Sequence, residues 1–88
     1  MTEQEAKDRA IAFMKSQRDI YPWAFHGIGF ISKTDIEEFN SVYRFNLGLT
    51  RPHWVVGFSN ESPEYKDQHS YTVIIDGRTG AASFSYSL

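Results

Sequence analysis

The sequence has no cysteine, few prolines and no apolar run approaching the length of a membrane span. Without cysteine, neither a disulfide framework nor a thiolate metal site is possible. The first twenty residues carry charges throughout, and a signal peptide needs an uninterrupted apolar stretch after a basic start. These absences predict a cytoplasmic protein with no membrane partner.

The chain also lacks an excess of charge of either sign. Its formal net charge is −2, and its nine basic residues are scattered rather than clustered. Nucleic-acid-binding proteins usually concentrate Lys and Arg on one surface, where they neutralise phosphates. The charge pattern therefore argues against nucleic acid as a partner.

Aromatic residues are abundant, with seven Phe, five Tyr and two Trp among 88 residues. Each aromatic side chain buries a large area, so a few of them can form the core of a short chain. The length corresponds to one domain, and we expect residues 1–88 to form it.

The N-terminal segment predicts an amphipathic helix. Thr2 and Glu5 fit a capping box, in which each side chain satisfies a free backbone N–H at the helix start. Apolar residues then recur at steps of three and four, which is one helical stripe: Ala6, Ala10, Ile11, Phe13 and Met14. We expect this helix to end near Arg18, because Tyr21-Pro22 cannot continue it.

After Pro22 the apolar period changes from 3.6 to 2, which is typical of strands. The alternation predicts five strands, at 24–33, 41–49, 53–59, 69–76 and 81–88, of which 69–76 is an interior strand. Gly27 and Gly29 indicate a bulge or a close approach in the first. The predicted fold is α+β, with the helix packed on one face of an antiparallel meander sheet of four or five strands.

The alternation also assigns the two faces of the sheet. Trp54, Val56 and Phe58 are expected toward the helix, as are Phe84, Tyr86 and Leu88 of the last strand. Val42, Val55 and Ile74 are expected on the opposite face, where they form an apolar strip of the kind that marks a dimer or partner surface. The polar loop 60–68 adds acids that suit a basic partner. The predicted partner-binding residues are Val42, Arg44, Val55, Ile74, Glu61, Glu64 and Asp67.

Other polar groups have simpler interpretations, and no catalytic, metal or cofactor site is predicted. His26, His53 and His69 lack the spacing of metal ligands. The acids at 35, 37 and 38 fall in a polar connection, where general acid–base catalysis is not favoured. The alternating serines 83, 85 and 87 indicate an exposed strand face that can also accept a partner strand at an open edge.

The C-terminal half carries a motif pattern. An aromatic-led strand, HWVVGFSN, is followed by a polar loop and by YTVIIDGRTGAASFS. This pattern resembles PepSY-like and cystatin-like domains, in which a helix lies across a meander and the final hairpin reads roughly V-x-V-D-x-x-T-G-x-V. It is also similar to a family of bacterial toxin-immunity proteins with a W-V-x-x-[FY] strand and the same D-x-x-T-G ending.

The resemblance implies a binding protein without catalytic residues. PepSY domains are associated with protease inhibition but are mostly exported or membrane-attached, so the absence of a signal here favours a cytoplasmic immunity protein or a stand-alone domain. We therefore expect a non-enzymatic domain that binds and blocks a toxin or hydrolase.

Two alternatives stay open at this stage. One is a small-molecule-binding or enzymatic domain with a pocket between helix and sheet, lined by Trp54, Phe58 and Tyr86 and containing a buried ionisable group such as His26. The other is a structural domain that forms a homodimer through the sheet face or edge.

Overall fold

The structure, a computed structural model, describes residues 1–35, 37, 52–63 and 70–85. The elements are helix α1 (Glu3–Ser16) and strands β1 (Trp23–Ile31), β2 (His53–Asn60), β3 (Ser70–Asp76) and β4 (Ala82–Phe84). The strands pair antiparallel in the order β1-β2-β3-β4, and α1 packs on the sheet. The predicted α+β meander is therefore confirmed, and β3 is an interior strand as expected. The predicted strand over 41–49 lies outside the described residues, as do 86–88 of the last strand.

Helix α1 begins with the predicted capping box. Thr2 Oγ1 accepts a hydrogen bond from Glu5 N at 3.2 Å, and Thr2 N donates to Glu5 Oε1 at 3.2 Å. The helix ends at Ser16, slightly before the predicted Arg18, because Gln17 adopts extended backbone angles. The Ser16 hydroxyl donates to the Phe13 carbonyl at 2.6 Å, and such side-chain bonds compete with a further helical turn.

The hydrophobic core lies between α1 and one face of β2 and β3. Ala6, Ala10 and Met14 of α1 are fully buried. The sheet side contributes Val56, Phe58, Val73 and Ile75, which are also buried. Each large side chain buried in this way contributes about 1.5–3 kcal/mol before entropy is counted. The predicted inward positions of β2 are thus confirmed, with Trp54 half-buried against the same core.

Strand β1 contains the bulge that its glycines indicated. Its register with β2 shifts between Phe25 and Gly27, which leaves His26 as the extra residue. Because of that extra residue, Phe25 and Ile28 both lie on the helix side of the sheet, although three positions separate them. Gly27 and Gly29 lie on the opposite face, as predicted.

The turn between β3 and β4 is organised by the side chain of Asp76. Asp76 is 4% exposed, and its Oδ1 accepts hydrogen bonds from the backbone N–H groups of Arg78 at 2.8 Å and Thr79 at 3.2 Å. Gly80 N donates to the Asp76 carbonyl at 2.8 Å, and Gly80 has φ of +78°, a conformation that favours glycine. The Asp-x-x-Thr-Gly segment therefore has a complete structural explanation as a closed turn.

Replacing Asp76 with Ala should lower the free energy of unfolding by about 1–3 kcal/mol, because two partly buried turn N–H groups lose their acceptor. Thr79→Ala is the matched control, since its hydroxyl accepts one exposed bond from Ala81 N. Urea unfolding followed by circular dichroism measures both. Equal stability of the two variants would contradict the organising role of Asp76.

Two glycine-to-alanine changes should have opposite effects. A Cβ on Gly77 would lie 2.9 Å from the carbonyl oxygen of Pro52, a backbone atom that already accepts the Gly77 N–H. We expect Gly77→Ala to lower the melting temperature. A Cβ on Gly57 meets nothing closer than 3.9 Å, so Gly57→Ala should be neutral or stabilise by up to about 1 kcal/mol. Calorimetry distinguishes these outcomes, and a destabilised Gly57→Ala would show that the Gly57 position tolerates no side chain.

Candidate interaction surface

The sheet face opposite α1, called the open face below, centres on one aliphatic pair. Val55 of β2 pairs with Ile74 of β3 in the antiparallel register, and both side chains are half-buried. Beside them, Gly29 pairs with Val55, and Gly27 pairs with Gly57. The open face therefore combines two apolar side chains with three positions that carry none. Two of the predicted partner-binding residues are brought together here.

Glu61 borders this face at the end of β2. The Ser59 hydroxyl, which lies on the open face, donates to Glu61 Oε1 at 2.5 Å. Glu61 N donates to the Pro22 carbonyl at 2.7 Å, which fixes the backbone at this point. The structure thus places one of the predicted acids beside the open face. The remaining predicted residues lie outside the described part of the chain: Val42, Arg44, Glu64 and Asp67.

A recess of about 310 Å³ lies over Gly57 on the open face. His26, Ser59, Ser70 and Thr72 are among its lining residues. The β1 bulge brings the His26 ring to 4.0 Å from the position of a Cβ on Gly57. Sequence reasoning did not identify this recess, although the glycines in a strand were the signal that pointed to it.

One end of the open face is polar and buried. His53 is 9% exposed, and it pairs in register with Asp76, whose carboxylate accepts the turn N–H groups. His53 begins β2, and its side chain is shielded from solvent. Charged and polar groups at cross-strand positions lie close enough to interact.

The histidines do not form a metal site among the described residues, where no group of three His, Asp or Glu side chains converges. His26 is exposed beside Gly57, whereas His53 lies at the other end of β2. His69 lies outside the described residues.

Of the side chains named for the alternative pocket between helix and sheet, the structure describes Trp54, Phe58 and His26. Phe58 is fully buried, its ring 5.1 Å from that of Trp23, while Trp54 packs against Phe30 at 4.9 Å between ring centroids. His26 is exposed on the opposite face rather than buried beneath the helix. Tyr86 lies outside the described residues.

A groove is found elsewhere, at the end of β3 nearest the helix C-terminus, with a volume of about 360 Å³. The Tyr71 hydroxyl accepts a hydrogen bond from Tyr21 N at 3.0 Å across one side of it. Its described lining residues are Ile20, Tyr21, Ser70, Tyr71, Thr72, Phe84 and Ser85. The groove combines aromatic walls with hydroxyl groups, a composition that suits a small apolar ligand.

Among the described residues, two carboxyl groups have shifted pKa values, and both are exposed side chains in the first turn of a helical segment. Hydrogen bonds from the backbone N and hydroxyl of Ser32, at 3.0 and 2.8 Å, lower the pKa of Asp35. The same kind of contact with Thr2 lowers the pKa of Glu5. Glu37 is exposed, and Glu38 lies outside the described residues. Asp35 therefore lies in the first turn of a helical segment that begins at Lys33 and is capped by Ser32, and the sequence prediction of a polar connection is corrected here.

The hydrogen bonds between Ser32 and Asp35 should make the stability of the domain depend on pH in the acid range. Since the folded pKa of Asp35 is lowered, its contribution to stability is present above the unfolded pKa and is lost as pH falls through the folded value. Ser32→Ala should raise the pKa of Asp35 toward its ordinary value in an NMR titration of the side-chain carboxyl. Thr34→Ala is the control, and an unchanged Asp35 pKa in Ser32→Ala would contradict the capping assignment.

No helix within the described ranges is long and apolar enough to cross a membrane.

Comparison with known proteins does not identify a family for this chain. No protein-family model, curated protein or solved structure matches the chain.

Proposed function

We propose that this chain is a non-enzymatic protein-interaction domain that binds another protein through its open face. In this proposal it is a cytoplasmic bacterial protein that acts as an immunity or inhibitor protein and blocks a toxin or hydrolase. The observation that carries the proposal is the Val55–Ile74 pair, which keeps apolar surface partly accessible at the centre of a sheet face. Its burial by a partner is favourable, since apolar area removed from water drives association.

The shape around the pair supports a protein partner. Gly27, Gly29 and Gly57 carry no side chains, and a Cβ on Gly27 or Gly29 would meet no described atom within 4 Å. A partner can therefore approach the strand backbone closely beside two apolar contacts. Interfaces typically combine such an apolar centre with a polar rim, and Glu61 with the hydroxyls of Ser59 and Ser70 supply that rim.

The expected mode of inhibition is steric and electrostatic. A carboxylate at Glu61 complements a basic surface, which is how an acidic inhibitor covers the active site of an enzyme that acts on a phosphate-bearing substrate. The acids at 64 and 67 belong to the same predicted surface. Such a binder needs no catalytic group of its own.

Substitutions on the open face should abolish capture of the partner. Tagged wild-type protein, Ile74→Asp and Glu61→Lys are compared in pull-downs from the cell that produces the chain, read by mass spectrometry. Ala12→Asp and Asp8→Lys are matched controls, since both residues are exposed on α1. We expect one stoichiometric protein to be retained by wild type and both controls, lost by Ile74→Asp, and bound about tenfold more weakly by Glu61→Lys.

The captured protein is then purified and its activity measured with and without the chain. Stoichiometric inhibition that Ile74→Asp abolishes is the expected result. A partner retained equally by all variants, or one whose activity does not change, contradicts the proposal. Self-association that Ile74→Asp removes would instead support the structural dimer.

The groove of about 360 Å³ favours a second candidate function, the binding of a small apolar molecule against Tyr71 and Phe84. The ring centroid of Phe84 lies 4.9 Å from that of Phe13, so one wall of the groove is continuous with the core. A ligand at free concentration c would stabilise the folded state by RT ln(1 + c/Kd), so the melting temperature should rise with the logarithm of ligand concentration above the Kd. A ligand-induced rise in melting temperature that persists in Ile74→Asp and disappears in Tyr71→Ala would show that the ligand binds in the groove and not on the open face.

A further inference from the structure

The helix side of β1 carries aromatic groups that α1 does not cover. Phe25 is 37% exposed and Phe30 is 48% exposed, although both point to the same side of the sheet as the core. Helix α1 lies mainly over β2, β3 and β4, and it covers β1 least. The exposed rings and their half-buried neighbours form what we call the aromatic strip: Phe25, Ile28, Phe30 and Trp54.

Basic residues lie over one end of the aromatic strip and beside the other. The Lys7 ammonium lies 4.2 Å from the centroid of the Phe25 ring. At the other end, the position of a Cβ on Gly77 is 3.8 Å from the Phe30 ring, so the turn that carries exposed Arg78 borders the strip. The strip therefore has a fixed positive charge over Phe25 and a basic turn residue near Phe30, although the chain as a whole is acidic.

The Lys7 ammonium has no carboxylate partner within the described residues. Lys7 is half-buried, and it holds its charge over the face of the Phe25 ring. Glu5, an acid of the first helical turn, is already engaged with Thr2. A positive charge fixed beside exposed apolar rings is suited to a carboxylate that arrives together with an apolar side chain.

We propose that the aromatic strip, with Lys7 and Arg78 at its ends, binds an acidic and apolar peptide segment of a partner protein. Charge complementarity selects this occupant, because Lys7 holds its charge over Phe25, Arg78 belongs to the turn beside Phe30, and the described residues of the strip are all apolar. In the bound state a partner carboxylate pairs with Lys7, and adjacent apolar side chains of the partner cover Phe25 and Phe30. This surface lies on the helix side of the sheet and is distinct from the open face.

The test uses the intact chain and labelled synthetic peptides in fluorescence anisotropy. The probe is a short peptide of Asp, Glu, Leu and Phe. One comparison peptide replaces its acids with Lys, and another keeps the acids but replaces the apolar residues with Ser. We expect saturable binding of the first peptide alone, with a Kd below about 1 mM.

Variants then assign the binding to the aromatic strip. Lys7→Met keeps an apolar stem over Phe25 but removes the charge, and Lys7→Glu reverses it. Each should weaken binding at least about tenfold, and Phe30→Ser should do the same. Lys15→Glu is the matched control, since Lys15 is exposed on the same helix, and it should change binding less than about twofold. Thermal unfolding verifies that each variant is folded, and Ile74→Asp should leave peptide binding unchanged.

Several outcomes would overturn the proposal. The proposal is wrong if the acidic apolar peptide shows no saturable binding, or if the Lys-substituted peptide binds as tightly as the acidic one. It is also wrong if Lys15→Glu weakens peptide binding as much as Lys7→Glu does. Self-association that Phe30→Ser removes would assign the strip to a second copy of the chain instead. Because the open-face variants are measured separately, failure here leaves the proposed function standing, and the reverse also holds.

Discussion

The packing of α1 against β2 and β3 is the contact on which the other features depend. Ala6 and Ala10 are small enough to bring the helix close to the sheet, while Met14 fills the space above Val56 and Phe58. An isolated helix of this length is marginal in water, and a sheet with one uncovered apolar face is no better. Neither element is stable alone, so the helix side of β2 and β3 is committed to the core.

Because these residues form the core, only the other surfaces of the domain remain for function. Phe58 and Val73 are fully buried and serve stability. Among the described residues, the groove at Tyr71, the open face around Val55 and Ile74, and the helix side of β1 with exposed Phe25 and Phe30 stay accessible. The open face carries an acid at its border, and the helix side of β1 has Lys7 over Phe25 and the Arg78 turn beside Phe30. The two regions therefore suit partners of opposite charge, although one fold positions both.

The sequence predicted the parts of this arrangement that follow from local periodicity. The capping box of Thr2, the helical stripe and the two-residue alternation in β2 all depend on neighbours along the chain, and each is confirmed. The bulge at His26 was indicated by its glycines. The burial of His53 and the exposure of Phe30 were not predicted. Both depend on which other element packs over the strand, and the residue pattern within one strand does not contain that information.

The Asp76 turn shows that a sequence motif in a small domain can have a structural explanation that carries no information about function. The predicted resemblance to PepSY-like and immunity-protein sequences rests partly on its aspartate, threonine and glycine, yet the hydrogen bonds of Asp76 and the positive φ of Gly80 account for these residues structurally. A residue that closes a hairpin in this way is explained by the hairpin alone, whatever the protein binds. Under both proposals, specificity therefore resides in side chains that the turn does not use, such as Ile74 of β3 and Arg78 at the tip of the turn.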